Sequence, residues 1–186
     1  STYGVSASLE PSGEVAVLRM GNLVDGEIDY GDLRFLDEVD DELLLLENDV
    51  IFNRTNSLDL VGKTAIFRGE FEYPVSLASY LVRFRFSGRY DPEYANYVMG
   101  TDVLMAVGRT LALPSIGQAN LNPSRYAQIE FPVPPSAEQR EIVRFLNQKV
   151  SEIQATARQI SQSIEFLVEY RSALISETVT GQISDL

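Results

Sequence analysis

The 186-residue chain contains no cysteine, no histidine and no tryptophan. Without cysteine there is no disulfide and no thiolate nucleophile, and without histidine there is no imidazole base; together these absences exclude nearly every zinc or haem site. Chemistry of any kind would fall to carboxylates, hydroxyls and amines, and neither a metal nor a cofactor is expected. No apolar run approaches the roughly 18 to 20 residues of a membrane span. The opening STYGVSASLE also lacks the basic start and apolar centre of a signal peptide, so a cytoplasmic setting without a membrane partner is expected. The chain does not begin with methionine, which leads us to expect further sequence upstream.

What is present is a chain 45% hydrophobic with net charge −12, able to bury roughly two-thirds of its unfolded surface in one main core. The charge is uneven. Residues 1–50 hold 13 acids against 2 bases, residues 51–130 hold 7 against 8, and residues 131–186 hold 7 against 5. The acidity therefore belongs to the first quarter, and a negative total does not exclude an anionic ligand for the middle of the chain.

EVAVLRMGNLVDGEIDY reads as two strands joined at Asp25-Gly26, a hairpin turn dipeptide. Asn48-Asp49 marks a second turn before a strand that ends in NRTNS. KTAIF and ASYLVRFRF supply further strands. In the latter, Tyr80, Val82, Phe84 and Phe86 share one face, and Arg83 and Arg85 the other. Asp91 with Pro92 is a cap followed by a first helical position, predicting one or two short helices broken near Gly100. GQANLNPSRY reads as an amide-rich loop, and AQIEFPVPP must be extended because each proline restricts its predecessor.

The clearest pattern is C-terminal. Ser136 with Gln139 three residues on has the form of a capping box directly after Pro134-Pro135. Beyond it Val143, Val150, Ala157, Ile164 and Arg171 fall on one set of sevens, and Leu146, Ile153, Ile160, Leu167 and Leu174 on another offset by three. This is the seam of a coiled coil. About 40 helical residues reach roughly 60 Å, more than a small domain can cover, so the seam predicts a second helix. Gly181 marks the end.

Several sharper readings fail. LVGKT resembles a phosphate-binding loop, but the first glycine it needs is Ser57 and no helix pattern follows Thr64. Asn53-Arg54-Thr55 has the form of a glycosylation site without a secretory context, and Asp25–Tyr30 begins like a calcium loop without its glycine. Glu10, Glu14, Asp29 and Asp32 form no spacing that selects a catalytic pair, which leaves a carbohydrate-cleaving enzyme a distant reading. Arg54, Lys63, Asn53 and Asn56 are individually ordinary loop residues. Grouped with Thr55 and Ser57, and joined by Gln118, Asn120, Asn122 and Arg125, they make two clusters of the residue types that bind phosphate oxygens and base edges.

The stretches VLRMGNLVDGEIDYGDLRFL, DVIFNRTNSLDLVGKTAIF, ASYLVRFR, QANLNPSRYAQIEFPVPPSAEQREIV and RSALISETVTGQI, in that order, resemble the DNA specificity subunit of type I restriction-modification systems. The resemblance covers one target recognition domain and one spacer helix. It implies a non-catalytic subunit binding duplex DNA, with partner methyltransferase subunits that use S-adenosylmethionine and a restriction subunit that joins for cleavage. In the family two recognition domains are held apart by an antiparallel pair of helices. This chain has one of each, so the second is expected from another copy or from a missing half. The family's NRTNS…GK motif falls on Asn53, Arg54, Thr55, Asn56, Ser57, Gly62 and Lys63, and its QANLN segment on Gln118–Asn122. Both are expected to position phosphate or shape the loop, with base reading left to residues 68–76, 86–91 and 108–118, where Arg109 is the most suitable donor.

The expected fold is therefore α+β: a mixed, largely antiparallel β recognition domain with short helices over residues 1–135, then a coiled-coil-forming α-helix and tail over 136–186. Its pairing interface is expected at Val143, Leu146, Val150, Ile153, Ala157, Ile160, Ile164, Leu167 and Leu174. A competing expectation is a coiled-coil scaffold or acidic DNA mimic that binds a DNA-processing protein, motivated by the acidic first quarter.

Overall fold

The computed structural model describes residues 1–69, 71–86, 88–115 and 117–181. The strands are β1 (Thr2–Tyr3), β2 (Val15–Leu18), β3 (Leu23–Val24), β4 (Glu27–Ile28), β5 (Arg34–Leu36), β6 (Val50–Asn53), β7 (Thr55–Asn56), β8 (Thr64–Ile66), β9 (Val75–Leu77), β10 (Leu81–Phe84), β11 (Leu113–Ser115) and β12 (Gln118–Asn120). The helices are α1 (Pro92–Met99), α2 (Asp102–Leu111), α3 (Pro123–Tyr126) and α4 (Ser136–Val179). The class is α+β, as the strand and helix patterns predict.

The central sheet has the order β1-β10-β6-β8, antiparallel throughout. Its middle strand β6 is buried on both faces: Val50 and Phe52 pack into one apolar cluster with Val61, Met99, Leu121 and Tyr126, while Ile51 packs into the other with Leu18, Leu77 and Leu81. A strand sandwiched between two cores reads as a continuous apolar run, which is why Val50-Ile51-Phe52 shows no alternation. On β10 the alternation is real. Val82 and Phe84 pair with Phe52 and Val50, and the Phe84 ring meets Phe52 edge-on at 5.5 Å.

On the opposite face the two arginines tie loops to the sheet. Arg83 donates to the carbonyls of Leu44 and Glu42 at 2.7 and 3.1 Å. Arg85 makes a fork onto Asp49, 2.7 Å from each carboxylate oxygen. Asn48, with φ of 70°, turns the chain into β6.

The first hairpin is smaller than the sequence suggests. Asp25 (φ 49°) and Gly26 (φ 84°) do form the turn, with both φ values positive as a two-residue hairpin of type I′ requires, but only β3 and β4 flank it. The preceding strand β2 pairs antiparallel with β5 and parallel with β9. The cause is a 3-10 turn at Met20–Asn22. Asn22 accepts from the Arg19 N–H at 2.7 Å and donates to the carbonyls of Asp29 and Asp32, so the strand is cut after Leu18. The parallel pairing with β9 has no local sequence signal.

The helical predictions near Gly100 hold. Asp91 caps α1 through the N–H groups of Glu93 and Tyr94, Pro92 opens it and Gly100 closes it; Thr101 then caps α2. The amide-rich stretch carries order not expected of it, a short strand β12 and the one-turn α3 capped by Asn122.

The chain divides into two units, Ser1–Val143 and Arg144–Leu186. The start of α4 thus belongs with the first unit, and Gln139 explains why. Its side chain closes no capping box. It is wholly buried, accepts from the Asp91 N–H at 2.8 Å and donates to the carbonyls of Arg89 and Pro134. In the second unit α4 continues to Val179, and Gly181 with φ of 68° ends it. At about 1.5 Å per residue, the 44 residues of α4 reach about 66 Å.

Candidate nucleic-acid interface

The segment Asn53–Lys63 is a closed loop. Asn53 donates through its N–H to the Lys63 carbonyl and accepts from the Gly62 N–H, both at 2.8 Å. The Ser57 carbonyl accepts from the N–H groups of Leu60 and Val61. Gly62 has φ of 91°. Only glycine adopts that geometry without strain.

Inside the loop β7 pairs with β12, Thr55 opposite Asn120 and Asn56 opposite Ala119. This one ladder brings together the two sequence clusters, which lie some 60 residues apart in the chain. The Leu121 N–H adds a 2.8 Å bond to the Arg54 carbonyl. Where the segments meet, Tyr3, Arg54, Leu113, Pro114, Asn120, Asn122 and Pro123 line a surface concavity of about 400 Å³. Arg54 is held among these residues: one Nη donates to Asn120 Oδ1 at 2.9 Å, and its guanidinium lies 5.1 Å from the centre of the Tyr3 ring. Both contacts fix the direction of the side chain while leaving it charged.

The expected site residues divide by exposure. Ser57, Gln118, Asn122, Arg109 and Arg125 are exposed, and Arg54, Asn56, Lys63 and Asn120 are half-buried. Asn53 and Thr55 are buried and face the interior, so they have no surface to offer a ligand. Asn122 spends its side-chain oxygen on the cap of α3, accepting from Ser124 and Arg125 N–H. The Oδ1 of Asn56 similarly accepts from the Ser57 N–H. Among the described residues, Arg54, Lys63, Arg109 and Arg125 have no carboxylate within ion-pair distance, whereas Arg19, Arg68, Arg85 and Lys149 do. The loop and the residues packed against it thus present cations that no carboxylate of the described residues neutralises.

Two expected base-reading segments are less free than the sequence implied. Residues 75–77 are strand β9 and buried, because Val75 and Leu77 complete the first core. Arg109 lies on the last turn of α2 and reaches the Asp59 carbonyl at 3.4 Å, bracing the loop. Sequence reasoning missed Tyr3, whose ring lies beneath Arg54; its position depends on β1 pairing with β10, a contact between residues 80 apart.

Residues 5–165 match the family described as the type I restriction modification DNA specificity domain. The chain belongs to that family. Over 168 residues it is 22% identical to a protein described as a putative type I restriction enzyme MjaX specificity subunit from Methanocaldococcus jannaschii, a match covering 88% of this chain and 39% of that one. It is 24% identical over 172 residues to the type I restriction enzyme StySPI specificity subunit of Salmonella potsdam, covering 90% and 36%. The EcoKI specificity subunit of Escherichia coli is 22% identical over 172 residues, covering 90% and 37%. The chain therefore spans rather more than a third of the length of these relatives. The family match runs through the Asn53–Lys63 loop and well into α4, so it covers residues of both units. Among the described residues no group of three or more acids could hold a metal ion, and no helix is long and apolar enough to cross a membrane.

Proposed function

We propose that the first unit is a target recognition domain reading one half of a split duplex DNA sequence, and that the chain acts as a non-catalytic specificity subunit in the cytoplasm. The observation that carries this is the β7–β12 ladder. It brings Arg54, Asn120 and Asn122 to the lining of one concavity, with the Arg54 guanidinium free of any ion-paired carboxylate among the described residues. Family membership supplies the context.

The roles follow from exposure. Arg54, Lys63 and Arg125 contact phosphate, together with the Ser57 hydroxyl; Asn53 and Thr55 shape the loop from within; Gln118, Asn120 and the Asn122 amide nitrogen reach the nucleic acid at the edge of the concavity. Arg109 holds the loop and contributes charge. Sequence choice rests with the exposed parts of residues 68–74, 86–91 and 112–118.

In this reading the exposed seam of α4 pairs with a second copy or with a second helix of a longer polypeptide. The paired helices carry methyltransferase subunits, with a restriction subunit joining for cleavage. Two copies would read an inverted repeat with a fixed gap, since two-fold protein symmetry imposes two-fold symmetry on the target. Sequencing of modified bases in a host genome, with and without this chain, tests the proposal. A bipartite methylated motif that vanishes with the chain is the expected result, and an unchanged methylation pattern contradicts it.

The competing scaffold or DNA-mimic reading is not favoured, because the family matched is a DNA specificity domain; of the first-quarter acids, Asp49 is buried against Arg85, while Asp32 and Glu27 pair with Arg19 and Arg68 at the surface.

A further inference from the structure

The concavity beside β7 and β12 has one wall for which family membership does not account. Tyr3 lines it, yet the family match begins at residue 5.

Strand alternation sets where the ring goes. In the pairing of β1 with β10, Thr2 stands opposite Arg83 and Tyr3 opposite Val82. The Thr2 hydroxyl accepts from Arg83 at 3.2 Å, so Tyr3, the next residue, turns to the other face of the strand. There its ring meets Arg54, with 5.1 Å from the guanidinium carbon to the ring centre, while the residue stays 47% exposed.

Both partners are tied to the same corner of the fold, residues 77–81. The Gly4 N–H donates to the Leu81 carbonyl at 3.2 Å, the Val5 N–H to the Leu77 carbonyl at 2.6 Å, and the Arg54 N–H to the Tyr80 carbonyl at 3.1 Å. The chain leaving Tyr3 passes so close to this corner that a Cβ on Gly4 would lie 2.3 Å from the carbonyl oxygens of Leu77 and Ala78. A side chain there would force β1 away. The meeting of Tyr3 with Arg54 is therefore set by backbone bonds and close approach, not by two free surface side chains.

Among the described residues the Arg54 side chain makes one hydrogen bond, from one Nη to Asn120, and its Nε has no acceptor. Asn120 fixes one end of the guanidinium and the ring supports its face, which restricts the side chain without consuming the second Nη. The electron-rich face of an aromatic ring attracts a cation, and an aliphatic side chain of similar bulk does not. A guanidinium held in this way keeps its planar donors available in one orientation, the arrangement that suits a phosphate.

Resting on the reading of this concavity as a duplex DNA site, we propose that Tyr3 is a positioning residue whose ring holds Arg54 in the orientation that binds phosphate. Asn120 sets the direction of the guanidinium and Tyr3 its tilt. Tyr3 selects no base, so its loss is felt equally on every sequence.

Two measurements on the full chain test this. In nitrogen–proton NMR the Arg54 Nε–H resonance, assigned by its disappearance in Arg54→Lys, should move in Tyr3→Leu and stay near its wild-type position in Tyr3→Phe. In fluorescence anisotropy, with the chain assembled with its methyltransferase subunit, Tyr3→Leu should weaken binding about 2- to 5-fold on target and non-target duplexes alike, the range expected of one partly exposed cation–π contact. Tyr3→Phe should bind as wild type does, because the ring face is kept. An Arg54 resonance that does not respond to Tyr3→Leu overturns the stack. Unchanged affinity in Tyr3→Leu, or a Tyr3→Phe variant as weak as Tyr3→Leu, overturns the positioning role of the ring. A wild-type assembly that binds no duplex overturns the DNA reading of the concavity and the role of Tyr3 with it, whereas wild-type binding with an unaffected Tyr3→Leu overturns the role of Tyr3 alone.

Discussion

The Oε1 of Gln139 accepts a 2.8 Å hydrogen bond from the backbone N–H of Asp91, so the residue that caps α1 is itself capped by a side chain from the foot of α4. The same amide donates to Arg89 and Pro134 carbonyls with no exposure to solvent. Gln139→Ala therefore leaves one donor and two acceptors of a part-buried site without their partner. At about 1 kcal/mol per bond, and more where desolvation is uncompensated, we expect a loss of about 2–4 kcal/mol. Urea unfolding followed by tyrosine fluorescence measures it. A loss below about 1 kcal/mol would show that the amide is dispensable.

The buried carboxylate of Asp49 is held by the Arg85 fork and the Leu46 N–H. The hydrogen bonds to Asp49 in turn hold the Arg85 guanidinium protonated more firmly than usual. Removing Asp49 leaves the Leu46 N–H and the Arg85 guanidinium, the latter 46% exposed, without their acceptor. Asp49→Ala should destabilise by about 1–3 kcal/mol, whereas Asp59→Ala, on the exposed loop, should stay within about 0.5 kcal/mol. Thermal unfolding of both variants provides the comparison, and equal effects would contradict the assignment.

How much of this could be read from the chain depended on whether the cause was local. Asp91-Pro92, Asp25-Gly26 and Gly181 were legible because a cap or a positive φ is set by a few neighbouring atoms. The split of β2 from its expected hairpin was not, because Asn22 bonds to carbonyls seven and ten residues away. Gln139 had the right spacing for a capping box, yet its partners lie 48 and 50 positions back, so a correct helix start rested on an incorrect bond. The two site clusters were visible as residue types. Their meeting through β7 and β12, the burial of Asn53 and Thr55, and the Tyr3 ring under Arg54 required the tertiary fold.

Burial pushes the Tyr126 phenol up to about 12, against an ordinary value near 10, and its ring packs 4.5 Å from Phe52. The folded value lies above the unfolded one, so the contribution to stability is complete below about pH 10 and is lost as pH rises from there toward 12. We expect the urea midpoint to fall between pH 9.5 and 11.5, apart from any global charge effect, and the fall to be smaller in Tyr126→Phe. That variant should be no less stable than wild type at neutral pH, since the hydroxyl makes no hydrogen bond to protein among the described residues. Identical alkaline profiles for the two chains would contradict the role of this phenol.

Lys63 and Arg54 should differ from base readers in how their loss is felt. Lys63→Ala should weaken binding by a similar factor on target and non-target duplexes and reduce the salt slope by about 1. Arg54→Ala should do the same and also loosen the loop, because Asn120 loses its donor; Arg54→Lys should not rescue it, since an ammonium cannot reproduce the guanidinium geometry. Fluorescence anisotropy across a salt series distinguishes these outcomes. A changed sequence preference in Lys63→Ala would refute its phosphate role.

The most direct test of the account is sequence-selective binding by the chain assembled with its methyltransferase subunit, measured on a randomised duplex pool at low and physiological salt. The account predicts enrichment of one bipartite motif, an inverted repeat if two copies pair, with Lys63→Ala lowering recovery without altering the motif. Recovery of unselected sequence at both salt concentrations would contradict it.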